Sequence, residues 1–224
     1  MITASQLDRH CGYKRVLGGK RTRTPRQQAA LDKGTEFHEW LPRVLAGASP
    51  DVEVTRDVAS WLVTAKESIK LPPGESWEAP LGLSEGGRYV AVEEPSPHAY
   101  RPLDDSKSLL TAGRADVNWN EEGVSTVLDI KTGRFRVDTA ERNLQVTSLA
   151  LAVADRDGSD RYRCGIYYAR TGETDWSRAI HLESEAAAKA WGEVEAAAKL
   201  DESPRPGPWC QACWEREACE FKGE

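Results

Sequence analysis

Two carboxylates and a lysine stand close together near the middle of this chain. The first segment is Gly113-Arg114-Ala115-Asp116 and the second is Leu128-Asp129-Ile130-Lys131-Thr132-Gly133. If residues 127–131 form a strand, alternation puts Asp129 and Lys131 on one face. Asp116 then falls on the neighbouring strand, across a short turn at Glu121-Glu122-Gly123. Two carboxylates so placed can share Mg²⁺, a hard ion that takes carboxylate oxygens and keeps several waters. Such an ion lowers the pKa of a bound water and screens phosphate charge. A lysine beside it orients the nucleophile or stabilises charge as a bond breaks. These are the parts that phosphodiester hydrolysis needs. A salt-bridged pair on a solvated strand face also explains Asp-x-Lys, and for the spacing alone it is the commoner explanation.

The neighbours of this segment shift that balance. Gly34-Thr35-Glu36-Phe37-His38 places an imidazole on a helix, with Glu39 beside it. Neutral imidazole is a ligand for a transition metal such as Mn²⁺. Gln145 falls on the helix after the Asp-x-Lys strand, within reach of an attacking water or a phosphate. Taken singly, a helical His is more often a core or surface residue, and a Gln is usually solvated.

There are five cysteines: Cys11, Cys164, Cys210, Cys213 and Cys219. An odd number, behind an N-terminus without the features of a secretory signal, argues against a disulfide framework. Cys210-x2-Cys213-x5-Cys219 offers three thiols in a compact segment, and Cys11 is the natural fourth. Four thiolates hold a [4Fe–4S] cluster or a zinc ion, and spacing alone leaves both open. Either would staple the two ends of the chain together and supply much of their order. Cys164 sits in an apolar strand and reads as a buried core thiol.

The net charge is −6, so the whole molecule does not advertise nucleic-acid binding. The distribution says more. Lys14, Arg15, Lys20, Arg21, Arg23 and Arg26 have no acidic residue among them. Such a run binds phosphates or is simply a solvated basic loop. No apolar run has the length of a membrane span, and a cytoplasmic protein is expected.

The elements that must position these groups follow from patterning. Short helices are expected over about 5–17, from Thr24-Pro25 to about 45, and over about 55–69. Strands are expected over 77–83 and 88–92, then 112–119 and 124–131. Residues 94–108, rich in proline, read as a loop. A helix over about 139–154, strands over 162–169 and 176–182, and an alanine-rich helix over 184–200 complete the pattern. The order implies one α/β domain over 1–224: a mixed central sheet flanked by helices.

The chain resembles the RecB-like exonucleases of the PD-(D/E)xK superfamily. It is most similar to the branch with an iron–sulfur staple, which includes the CRISPR-associated adaptation nucleases and the AddB-type nuclease domain. Ile2-Thr3-Ala4-Ser5-Gln6-Leu7 followed by Cys11, Gly34 to His38, Gly113 to Asp116, Asp129 to Gly133 and the one-plus-three cysteines match in order. The resemblance implies a restriction-endonuclease-like sheet, with about 1–24 and 204–224 joined at the four-cysteine cluster. It implies Mg²⁺ or Mn²⁺ on His38, Asp116, Asp129 and the Ile130 carbonyl, with Lys131 as the catalytic lysine and Gln145 beside it. Glu78 lies in the first strand of the sheet, where related nucleases often carry an acid. The resemblance favours iron–sulfur over zinc on Cys11, Cys210, Cys213 and Cys219. One departure is Leu149, where the family's Gln-x3-Tyr has tyrosine. The expected function is a metal-dependent exonuclease acting on single-stranded DNA or DNA ends, in CRISPR adaptation, recombination and repair, or phage DNA metabolism. Its expected partners are DNA and the proteins of those pathways. A non-catalytic DNA-end-binding subunit and a zinc-stabilised protein without a nucleic-acid role are the alternatives.

Overall fold

The computed structural model describes residues 2–3, 24–49, 54–96, 99–134 and 136–199. The expected helix over 5–17, the basic residues from Lys14 to Arg23, and Cys11, Cys210, Cys213 and Cys219 lie outside the described residues.

Helix α1 (Pro25–Leu45) begins at a capping box. Thr24 Oγ1 accepts from the Gln27 amide at 3.2 Å, and Gln27 Oε1 accepts from the Thr24 amide at 2.9 Å. Pro25 fits the first helical position because its missing N–H has no partner to lose there. Helix α2 (Arg56–Ser68) draws its cap from α1. Glu36 accepts from the Thr55 amide at 2.7 Å and from the Thr55 hydroxyl at 2.8 Å. Ile69 is already extended, ahead of Pro72-Pro73.

The main sheet runs β10 (Ile180–His181), β8 (Arg161–Tyr168), β7 (Val124–Lys131), β6 (Thr111–Glu121), β2 (Ser76–Leu83) and β3 (Tyr89–Val90). β9 (Glu173–Trp176) also pairs with β8, and β1 (Ile2–Thr3) with β6. Most pairs are antiparallel. β6 and β7 join through a two-residue turn in which Glu122 and Gly123 have φ of 51° and 74°, the primed geometry that suits strand twist. β7 and β8 are parallel and joined by helix α3 (Leu144–Asp157). α3 packs on one face over Val127, Cys164 and Ile166, with α4 (Glu185–Ala198) contributing Ala187 and Val194. α1 and α2 cover the other face over Val117, Leu128, Ile130 and Tyr167. The fold is a mixed, mostly antiparallel sheet flanked by four helices, as a restriction-endonuclease-like domain requires. Among the described residues no helix is long and apolar enough to cross a membrane.

Three expectations need correction. The loop over 94–108 contains a separate hairpin, β4 (Val92–Ser96) with β5 (Ala99–Pro102). Val92 and Tyr100 are buried, and Arg101 pairs with Glu93 across it. Pro95 is tolerated because the register shifts between Glu93 and Ser96, where a ladder donor would be missing. The expected strand over 176–182 is split into β9 and β10. Ser177 turns inward between them, accepting from the Cys164 amide at 2.9 Å and donating to the Arg178 carbonyl at 2.8 Å. The helix expected from 139 begins at Leu144, because Asn143 caps it by accepting from the Val146 amide at 3.0 Å.

β6 and β7 stay paired from Glu121↔Val124 to Val117↔Leu128 and then part. Beyond that point β6 pairs with β1 through Thr111 and Ala112, while β7 stays with β8 as far as Lys131↔Tyr168. A fork therefore opens between Asp116 and Asp129.

Gly165 sits where β8 passes under an indole, and a Cβ there would meet the Trp176 ring at 2.3 Å and Leu128 at 2.8 Å. Gly165→Ala is expected to destabilise the domain by about 1–3 kcal/mol through overpacking. Urea unfolding of the two proteins checks it.

Candidate metal centre

The fork leaves an amide without a ladder partner, and Asp116 takes it. Asp116 Oδ2 accepts from the Ile130 amide at 2.6 Å. In an extended strand the N–H and C=O of one residue point to the same side, so the Ile130 carbonyl also faces the fork. Helix α1 approaches closely enough to add a ligand because of Gly34. A Cβ at that position would come within 2.9 Å of Thr132 Oγ1, just past the end of β7. One turn later, His38 Nδ1 lies 3.6 Å from Asp116 Oδ1 and 3.8 Å from Glu78 Oε1. His38, Glu78 and Asp116 each offer one ligand atom, and the three atoms lie within 4.8 Å of one another.

Glu78 reaches this point through an unusual backbone. Its φ is 52°, rare for a residue with a side chain. The pairs on either side, Trp77↔Val117 and Ala79↔Ala115, keep the same register, so the kink re-aims one side chain without shifting the strand. Such strain concentrates at functional sites. Arg114 holds the other side of this carboxylate, its guanidinium 3.4 Å from Glu78 Oε2. Arg114 also pairs with Glu94 on β4, whose side chain is only 9% exposed.

Asp129 is buried and has different company. Lys131 Nζ lies 2.8 Å from Oδ2, an ion pair. Gln145 Nε2 donates to Oδ1 at 3.2 Å, and Lys131 Nζ donates to Gln145 Oε1 at 3.3 Å. The three form a closed ring beside the His38–Glu78–Asp116 group. Asp116 and Asp129 both lie at the fork, but the donors that group within 4.8 Å are His38, Glu78 and Asp116, while Asp129 is engaged by Lys131 and Gln145.

Charge and burial act strongly on this group. Burial pushes the Asp116 carboxyl well above the usual range, and the charges of Asp129 and Glu78 add to it. The Ile130 amide and Lys131 work in the opposite direction. Burial lowers His38 below its ordinary value, against the opposing pull of Glu78 and Asp129. A neutral imidazole is the ligand form. An open cleft of about 670 Å³ has His38 and Glu78 in its wall, with Gly34, Arg114 and Thr132-Gly133.

Of the other sequence candidates, Arg26 is exposed in the first turn of α1. Leu149, the departure from Gln-x3-Tyr, is 2% exposed and packs in the core over α3. Cys164 is buried, and burial pushes its thiol up to about 12. The Arg114–Glu94 contact had no local signal, because the hairpin that delivers Glu94 is visible only in three dimensions.

The chain matches the sequence profile of the PD-(D/E)XK nuclease superfamily over residues 9–220. It belongs to that superfamily. Membership in this nuclease superfamily implies a metal-dependent nuclease acting on nucleic acid, and the His38–Glu78–Asp116 group offers a site for the metal. A solved structure described as SSO0001 aligns over 97% of this chain and 96% of its own, at 15% identity and a TM-score of 0.40, a likeness too slight to argue from. No curated protein matches the chain.

The sign of the pH dependence follows from Asp116. Its folded-state pKa is raised, so the folded form binds more protons than the unfolded one above 3.8. The metal-free contribution of this group to stability therefore falls as pH rises through the folded-state value. A divalent cation competes with that proton. Mn²⁺ should raise the melting temperature more at mildly alkaline than at mildly acidic pH, and its binding should release protons. Thermal unfolding with and without Mn²⁺ at the two pH values checks the first, and calorimetric titration in two buffers of different ionisation enthalpy checks the second.

Proposed function

We propose that this protein is an exonuclease of the RecB-like type that degrades single-stranded DNA or DNA ends with Mg²⁺ or Mn²⁺. The observation that carries the reading is the fork, where the three donors stand together, two of them, His38 and Glu78, in the wall of an open cleft. The donor set fits a divalent cation: two carboxylates and a neutral imidazole, with the Ile130 carbonyl facing the same gap. His38, Glu78 and Asp116 would hold the ion, with Asp129 and Ile130 as further ligands. A divalent cation bound there supplies Lewis acidity, lowering the pKa of a water and screening the phosphate charge.

The protein's own groups do the rest. Lys131 places an ammonium beside the ligand set, where it stabilises charge on the phosphate oxygens as the bond breaks. Gln145 fixes the ammonium and Asp129 against each other and holds the lysine in register. The complete set of acids and lysine stands against a non-catalytic end-binding subunit.

An iron–sulfur cluster on Cys11, Cys210, Cys213 and Cys219 belongs to the same proposal. Cys164 is buried between α3 and the sheet, which leaves the other four as the candidate ligand set. The basic run Lys14, Arg15, Lys20, Arg21, Arg23 and Arg26 would track the backbone of the DNA. The fitting settings are CRISPR adaptation, recombination and repair, or phage DNA metabolism. Anaerobically purified protein should be brown and contain iron, and Cys213→Ala should bleach it. Colourless protein with stoichiometric zinc would select the zinc alternative.

Lys131→Ala is expected to slow metal-dependent cleavage of labelled DNA by on the order of 10²-fold or more while leaving the circular dichroism spectrum unchanged. Cleavage by this variant at the wild-type rate, in matched metal, would falsify the assignment.

A further inference from the structure

Two arginines outside the metal site stand at the Lys131 end of β7, one over each face of the sheet. Arg170 follows β8. The Ala169 amide donates to the Lys131 carbonyl at 3.0 Å, and Arg170 Nε donates to the Thr132 carbonyl at 2.7 Å. The Arg170 guanidinium lies 4.4 Å from the centroid of the Trp61 ring, in the core under α1 and α2. Arg136 lies in the segment after β7, its guanidinium 5.0 Å from the centroid of the Tyr168 ring. Tyr168 is the ladder partner of Lys131 and packs in the opposite core, under α3. Both arginines are exposed.

An arginine laid on an aromatic ring keeps its plane fixed while N–H groups at its edge stay available for phosphate oxygens. Less rotamer entropy is then lost on binding. Arg136 pairs with Glu173, but both side chains are more than half exposed, and such pairs contribute little in water. Exchange of that carboxylate for a phosphate costs little. Arg170 holds its place through Thr132, the residue that also meets Gly34 at the cleft wall.

The geometry points to Arg136 and Arg170 as a clamp on the phosphodiester backbone of a polynucleotide lying across the end of β7. Neither arginine belongs to the metal ligand group. The occupant is a polynucleotide because the two guanidiniums rest on rings in different cores, above and below the sheet. Two guanidiniums set on opposite sides in this way would meet different phosphates of one strand. The inference rests on the nuclease reading, since the strand must cross the same site.

The test uses the full chain and a fluorescein-labelled DNA oligonucleotide in EDTA, so that binding alone is read by anisotropy across a salt series. Arg136→Gln and Arg170→Gln should each lower the slope of log affinity against log salt by about 0.7–0.9, and the double variant by about twice that. Lys189→Gln, the same charge change on α4, should leave the slope unchanged. In Mn²⁺ the arginine variants should raise KM and hold kcat, the pattern of lost uniform binding. Arg136 carries the test even where loss of the Thr132 contact unfolds Arg170→Gln. An unchanged slope for Arg136→Gln and the double variant, or a loss confined to kcat, would overturn the clamp. Wild-type protein that neither binds nor cuts DNA would instead sink the nuclease reading.

Discussion

The bond from the Ile130 amide to the Asp116 carboxylate governs the geometry of the site. Where β6 and β7 part, a buried amide would lose its partner, at a cost of about 1–3 kcal/mol. Asp116 satisfies it at 2.6 Å. One carboxylate oxygen is thereby fixed to the backbone, and the other is left facing His38. The same turn of the backbone that orphaned the amide leaves the Ile130 carbonyl facing the gap. A single break in a ladder thus creates the space, supplies an oxygen and aims a carboxylate.

The rest of the fold holds that break open. β1 occupies the edge of β6 that β7 has left, so the two strands do not zip closed. Gly34 lets α1 press against Thr132, which brings His38 over the gap. The Asn143 cap starts α3 at Leu144, which puts Gln145 in its first turn and within reach of Lys131 and Asp129. On the far side, the β4–β5 hairpin delivers Glu94 to Arg114, and Arg114 restrains the kinked Glu78. Each functional side chain sits on a regular element whose own position is fixed by packing, and this is the condition for a site held to tenths of an ångström.

Much of this was legible in the sequence, for local reasons. Thr24-Pro25, Ser184 and the Glu122-Gly123 turn carry their structure in two or three residues. Asp129-x-Lys131 and Gly34-x3-His38 declare a face and a helical turn. What could not be read depends on distant partners. The prolines of 94–108 hid a hairpin that exists only because Val92 and Tyr100 find a core, and the inward turn of Ser177 depends on the Cys164 amide. Asp129 is ion-paired with Lys131, as the blander reading of Asp-x-Lys expects, but the pair is not on a solvated face: Asp129 is 4% exposed.

The charge at the fork also says why a cation is needed before any chemistry. Four carboxylates, Glu78, Glu94, Asp116 and Asp129, face two cationic side chains, Arg114 and Lys131, with the imidazole neutral. With all four acids ionised, the group carries two excess negative charges. A phosphodiester adds one more, and two unit charges 4 Å apart at an effective dielectric of 20 repel by about 4 kcal/mol. The excess cannot be relieved by adding another lysine, because an ammonium lacks the coordination that draws several oxygens together. A divalent cation bound there would cancel that excess and give the carboxylate oxygens a shared partner. The raised proton affinity of Asp116 comes first from burial and then from the neighbouring charges of Asp129 and Glu78. Burial and charge thus act together where the strands separate, and a proton or a cation relieves the same crowding of carboxylates.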